Sequence, residues 1–131
     1  MRKDIIRKQF IVKVVFTLTN EHEVLPPKTC TIERLVTMKE DVEKVLNGQK
    51  TATRRNGRYA DIGEIMTLEN VDFVVERVYR QTLGELTDEH ANQEGYANVE
   101  EYKQSILAIH PGMPWLSHMK VWVHEFRQVQ K

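Results

Sequence analysis

Residues 37–55 read TMKEDVEKVLNGQKTATRR, and within this stretch the chain passes from helix to turn to strand. Thr37-Met38-Lys39-Glu40 has the spacing of a capping box, which predicts a helix start. Met38, Val42, Val45 and Leu46 then fall on one helical face. Asn47-Gly48 predicts the helix end, because glycine takes the left-handed C-terminal conformation at little cost. Thr51 to Arg55 is rich in β-branched residues and reads as a strand leaving the turn. A helix handing over to a strand, rather than either alone, sets the class as α+β.

Working outward, the two-residue period dominates both ends. On the N-terminal side, Phe10, Val12, Val14, Phe16 and Leu18 alternate with polar residues, which predicts a strand. Glu21 to Thr29, with Pro26-Pro27, reads as a connection. Thr31 to Val36 reads as a second short strand. On the C-terminal side, Asn56-Gly57 marks a turn, and Ile65 to Leu68 and Val71 to Tyr79 read as strands. Thr87 caps a short helix to about Glu94, with Asp88 and Glu89 in its favourable first turn. Asn98 caps another, with Glu101 completing the box and Val99, Tyr102, Ile106 and Ile109 as its apolar stripe. His110-Pro111-Gly112 stops it, and a last strand runs from about Met119 to Phe126. The expectation is a mostly antiparallel set of strands closing on themselves, with short helices at the rim.

At 131 residues with 40% apolar content, the chain fits one domain with one core. No apolar run reaches the roughly 20 residues that a membrane-spanning helix needs. Met1 to Lys8 is charged and no small-residue cleavage site follows, so no leader is expected and a cytoplasmic location is. Cys30 stands alone, which excludes an internal disulfide and fits a small apolar packing role. The net charge is zero, but residues 1–58 carry 13 Lys and Arg against 7 Asp and Glu, and the remainder carries 6 against 12. A neutral total argues against bulk electrostatic attachment to nucleic acid. A local basic site for one phosphate or one polar base stays open.

Two clusters carry the reactive groups. In Gly48-Gln49-Lys50-Thr51-Ala52-Thr53-Arg54-Arg55, alternation along a strand puts Thr51, Thr53 and Arg55 on one face, with Lys50 in reach over it. An amine, a hydroxyl and a guanidinium so gathered suit binding a polar planar ligand or activating a hydroxyl nucleophile. A solvated charged turn is the simpler reading of the same residues. In the second cluster, Leu86 to Glu94, His90 and Glu94 share a helix face. The five histidines show no spacing that pairs ligands on one helix, so neither a metal nor another cofactor is expected. Tyr59, Tyr96 and Trp115 lie near turns, where an aromatic ring can stack on a base.

Taken together, the two clusters resemble a known family. Gly48-x-Lys50-x-x-Thr53-x-Arg55 is similar to the signature turn of the ASCH domain family, which has a PUA-like β-barrel fold. Gly48-Gln49-Lys50-Thr51, Leu86-Thr87-x-x-His90-Ala91-x-Gln93-Glu94, Ile109-x-Pro111-Gly112 and Val123-x-Glu125-Phe126 occur in the order found in bacterial N(4)-acetylcytidine amidohydrolases. The resemblance covers about Thr31 to Val129. It implies an N-terminal extension over residues 1–29, a strand plus a loop, followed by an ASCH domain over residues 30–131.

The resemblance further implies a lysine, threonine and glutamate triad, which falls on Lys50, Thr53 and Glu94. It places the arginine of the turn on Arg55, and Gly48, Thr51, Arg54, His90 and Tyr96 from the two clusters complete the candidate substrate-binding set. The activity so implied is hydrolysis of the amide on the exocyclic nitrogen of acylated cytidine, without a cofactor, on a nucleoside or RNA. An RNA-binding module, or an RNA-cleaving relative, is the alternative. Three departures stand out: the N-terminal extension, an apparent insertion around Pro114 to His118, and Arg54 in a slot expected to be apolar. The acid–base assignment is also open, because a glutamate that pairs tightly with Lys50 favours the ammonium form and opposes its use as a base.

Overall fold

The computed structural model describes residues 25–130. The strand expected over Phe10 to Leu18 lies outside them. Four strands form one antiparallel sheet: β1 (Ala52–Arg55), β2 (Ile65–Leu68), β3 (Val71–Thr82) and β4 (Lys120–Gln128). Their order is β1-β4-β3-β2, so β1 and β2 are the edges among the described residues. Among the described residues three α-helices accompany the sheet: α1 (Lys39–Leu46), α2 (Asp88–Gln93) and α3 (Val99–Ile109).

The elements follow the sequence signals closely. Thr87 caps α2 by accepting from the His90 amide, and Asn98 caps α3 by accepting from the Glu101 amide. Glu69 and Asn70, both at positive φ, turn β2 into β3. β3 runs three residues further than its apolar alternation suggests, because Arg80, Gln81 and Thr82 pair with Trp122, Val121 and Lys120. A bulge between Val75 and Arg77 bends this long strand.

Three expectations need correction. Glu101 does not complete a box at α3, because its carboxylate accepts from the Ala97 amide rather than from Asn98. Thr31 to Val36 is not a strand; Ile32–Arg34 is a 3-10 turn. Ile32, Leu35 and Val36 are all buried, and their i, i+3, i+4 spacing is helical rather than alternating. Thr37 does not cap α1. The N-cap is Met38, which has no side-chain acceptor to offer.

The register assigns the two faces of the sheet. Thr53, Arg55, Trp122, His124, Phe126, Phe73, Val75 and Val78 share one face. There Phe73, Val75 and Phe126 join Ile32, Leu35, Val36, Val45, Ala60 and Met66 in the main apolar core. Ala52, Arg54, Val123, Tyr79 and Gln81 occupy the other face.

A buried ion cluster at the edge of the sheet

The turn after α1 is built to deliver Lys50. Gly48 adopts φ +84°, and the amides of Gln49 and Lys50 both donate to the Lys44 carbonyl, at 2.8 and 3.1 Å. The Thr51 amide then donates to the Gln93 carbonyl at 2.8 Å, which ties this turn to the end of α2. Glu94 follows Gln93 directly. That single backbone bond explains why two side chains 44 positions apart meet. Gly95 turns the chain away at φ +89°, where a Cβ would sit 2.8 Å from Lys44 Cδ.

Lys50 Nζ donates to Glu94 Oε1 at 2.5 Å, and Arg54 Nη1 donates to Glu94 Oε2 at 2.8 Å. Arg54 Nε donates to Gln81 Oε1 at 2.8 Å. Gln81 Nε2 lies 3.4 Å from His90 Nε2. All the charged members are nearly sealed: exposure is 4% at Lys50, 8% at Arg54 and 2% at Glu94. Both carboxylate oxygens are engaged by basic side chains, one by Lys50 and one by Arg54. Glu94 is thus the shared acceptor of two cations.

Lys50, Thr53, Arg54, Arg55 and Glu94 line one cavity of about 260 Å³, with Tyr96 and residues of α1 and α3. That is near the small end of ordinary ligand pockets, sized for a single ring or a small group. Three consecutive residues of β1 border it although their side chains alternate, so the cavity lies along the open edge of that strand. Its apolar wall is Tyr102, Ile106 and Ile109 of α3. Tyr102 is buried, and burial first, then the nearby Glu94 charge, pushes its phenol well above the usual range.

Of the expected site residues, Lys50, Thr53, Glu94, Arg54, Arg55 and Tyr96 line this cavity. Gly48, Thr51 and His90 do not. Gly48 and Thr51 border a neighbouring depression, beside Phe73 and Phe126. His90 sits in the α2 cap, where its Nδ1 is 3.0 Å from the Thr87 amide nitrogen. Arg55 directs Nε and Nη2 at the Leu35 carbonyl, at 3.0 and 2.6 Å, and so braces the turn before α1. The Tyr96 ring has Lys44 Nζ 3.8 Å from its centroid and Tyr102 packed at 5.5 Å, and its hydroxyl lies 2.7 Å from Ser105 Oγ. Its ring thus packs between protein neighbours. Thr53 is buried, and among the described residues no hydrogen bond joins its hydroxyl to Lys50 or Glu94.

Sequence reasoning missed Gln81, which holds Arg54 from β3. Gln81 lies beyond Tyr79, where the apolar alternation ends, so the sequence carried no signal for it. It also missed His124, opposite Thr53 in the register. His124 is fully buried, and its Nε2 accepts from the Tyr59 amide at 3.0 Å. Burial pushes the imidazole down to about 4, so the ring is neutral at ordinary pH. Among the described residues no group of three or more His, Cys, Asp or Glu side chains is placed to hold a metal ion. No helix among them is long and apolar enough to cross a membrane.

No family model matches the sequence, and no curated protein does. Solved structures do match by shape. An ASCH domain from Lactobacillus crispatus JV V101 superposes with a TM-score of 0.57 at 12% identity, over 68% of this chain and 70% of that one. A protein from Enterococcus faecalis V583 superposes with a TM-score of 0.52 at 16% identity, over 82% of this chain and 78% of that one. At such identities the likeness speaks to architecture alone. A four-stranded antiparallel half-barrel with a few short helices, shared with a known ASCH domain, gives this chain an ASCH, PUA-like α+β fold.

Proposed function

We propose that the protein is an amidohydrolase that removes an acyl group from the exocyclic amine of N(4)-acetylcytidine or a related modified nucleoside. The observation that supports this reading most is that Lys50, Thr53 and Glu94, drawn from distant segments, border one cavity of ring size. In the reaction, the Lys50 proton moves across its 2.5 Å contact to Glu94, leaving a neutral amine. Ligand in the cavity excludes water and makes that neutral pair accessible; Arg54 on the second oxygen opposes it. The amine then takes the proton from the Thr53 hydroxyl, or from a water, as the oxygen bonds to the acyl carbon. Collapse of the tetrahedral adduct breaks the carbon–nitrogen bond, and the leaving cytidine amine takes the proton back from Lys50. Water then cleaves any threonyl ester, which releases the acid. Cations at the cavity wall offset the oxyanion.

The test is incubation of the purified protein with N(4)-acetylcytidine, following cytidine by chromatography. Lys50→Ala is expected to lose at least about 100-fold in rate, the size of a general-base contribution. Lys50→Arg is expected to be as poor, since it keeps the charge but supplies no base. Absence of cytidine from the wild type, or equal cytidine from Lys50→Ala, rejects the proposal.

A second reading is an RNA-binding module without catalysis. It is favoured by the pairing of both Glu94 oxygens and by the missing contact between Thr53 and Lys50. Salt-sensitive retention of RNA oligomers with no turnover of nucleoside is the result that selects it.

A further inference from the structure

The buried cluster is out of balance in two ways. Lys50 and Arg54 share one carboxylate, which leaves an excess positive charge almost wholly shielded from water. A buried charge without a partner is costly, so such an arrangement calls for an anion. Donors also outnumber acceptors. Glu94 has both oxygens engaged, whereas Lys50 makes one of its three possible bonds and Arg54 Nη2 is buried with no partner at all among the described residues.

A second feature borders the same cavity. Thr37, Met38 and Asp41 bring the N-terminal end of α1 to its wall. No side chain caps that end. Its first amides, with no side-chain acceptor, leave the partial positive charge of the helix at this end. The other charged groups there are Arg55, largely committed to the Leu35 carbonyl, and Asp41, which lies half-buried in the first turn of α1. With Lys50, Arg54 and Arg55 against Glu94 and Asp41, the lining stays positive by one charge.

We propose that this cavity is an oxyanion site, which takes a phosphate or carboxylate group between Lys50, Arg54 and the uncapped start of α1. The ligand brings acceptors and negative charge, the two things the lining lacks. This goes beyond the hydrolase reading, because it concerns charge recognition in the cavity and needs no reaction there.

The test is a titration of the protein with inorganic phosphate, followed by NMR at the backbone amides of Lys39, Glu40 and Asp41 and at the Arg54 Nε–H. Saturable shifts at both places are expected. Arg54→Gln should weaken phosphate about tenfold or more, the worth of one charge-assisted hydrogen bond. Lys50→Met leaves a balanced Arg54–Glu94 pair and should weaken it similarly, which keeps the test available if the first variant does not fold. Parallel arms with acetate, 5′-cytidine monophosphate and cytidine identify the source. Tighter binding of the monophosphate than of cytidine assigns a nucleotide phosphate, and acetate outcompeting phosphate assigns a carboxylate. Absence of saturable shifts with both anions, or unchanged phosphate affinity in both variants, overturns the proposal. A failed titration with intact hydrolysis of N(4)-acetylcytidine rejects the anion site alone; bound phosphate with no hydrolysis rejects the hydrolase alone.

Discussion

The two faces of the sheet bury their charged groups on different terms, and β1 supplies both. On one face Phe73, Val75 and Phe126 pack with Leu35, Val36 and Val45 in an apolar core. On the other, Arg54 is buried against Gln81 and Glu94, only one position from the buried Thr53. The apolar face needs only residues of fitting volume. The polar face needs named partners at set distances, and each comes from a different part of the chain. The apolar face also carries Thr53, Arg55 and His124, the last a titratable ring held neutral by burial. The contrast teaches that β1 borders both an apolar core and a site whose charges remain unequal.

The largest effect expected is on the polar face. Glu94→Ala strands Lys50 and Arg54 in the interior without a counter-charge, and should cost about 3–5 kcal/mol. Denaturant unfolding at neutral pH measures it. A loss below about 1 kcal/mol would show that water reaches the cluster freely, and the contrast between the faces would fail.

The apolar face should respond to acid. His124 has its folded value pushed down to about 4 from an ordinary 6.5. Between those values the unfolded chain binds a proton that the folded chain does not, so stability falls as pH falls. It is fully present above 6.5 and is lost progressively down to 4, by about 3 kcal/mol for this ring. His124→Gln offers the Tyr59 amide an acceptor that does not titrate, and should flatten that portion of the curve of stability against pH. An unchanged slope in the variant would place the acid sensitivity elsewhere.

The smallest change sharpens the comparison most. Arg54→Met removes one of two cations and leaves Lys50 and Glu94 as a one-to-one pair. The cost should be about 1–2 kcal/mol, chiefly from leaving the Gln81 carbonyl oxygen unpaired. A loss as large as that of Glu94→Ala would mean that Arg54 holds the fold rather than tuning the site.

The sequence by itself determined the local elements, because their causes are local. Thr87 and Asn98 cap their helices from adjacent residues, His110-Pro111-Gly112 ends α3, and alternation marks β2, the first part of β3 and β4. It failed at Ile32 to Val36, where a short apolar run fits two periods and packing chose the helical one. The resemblance in the turn at Lys50 and at Glu94 named residues that do share a cavity. Only the tertiary structure decided how they meet. The Thr51–Gln93 backbone bond brings the turn to α2, and the strand order leaves β1 at an edge where a cavity fits. Arg54 looked like a departure in a string of letters. Folded, it is the second cation on one carboxylate, because charge balance depends on distance and burial, which sequence spacing does not encode.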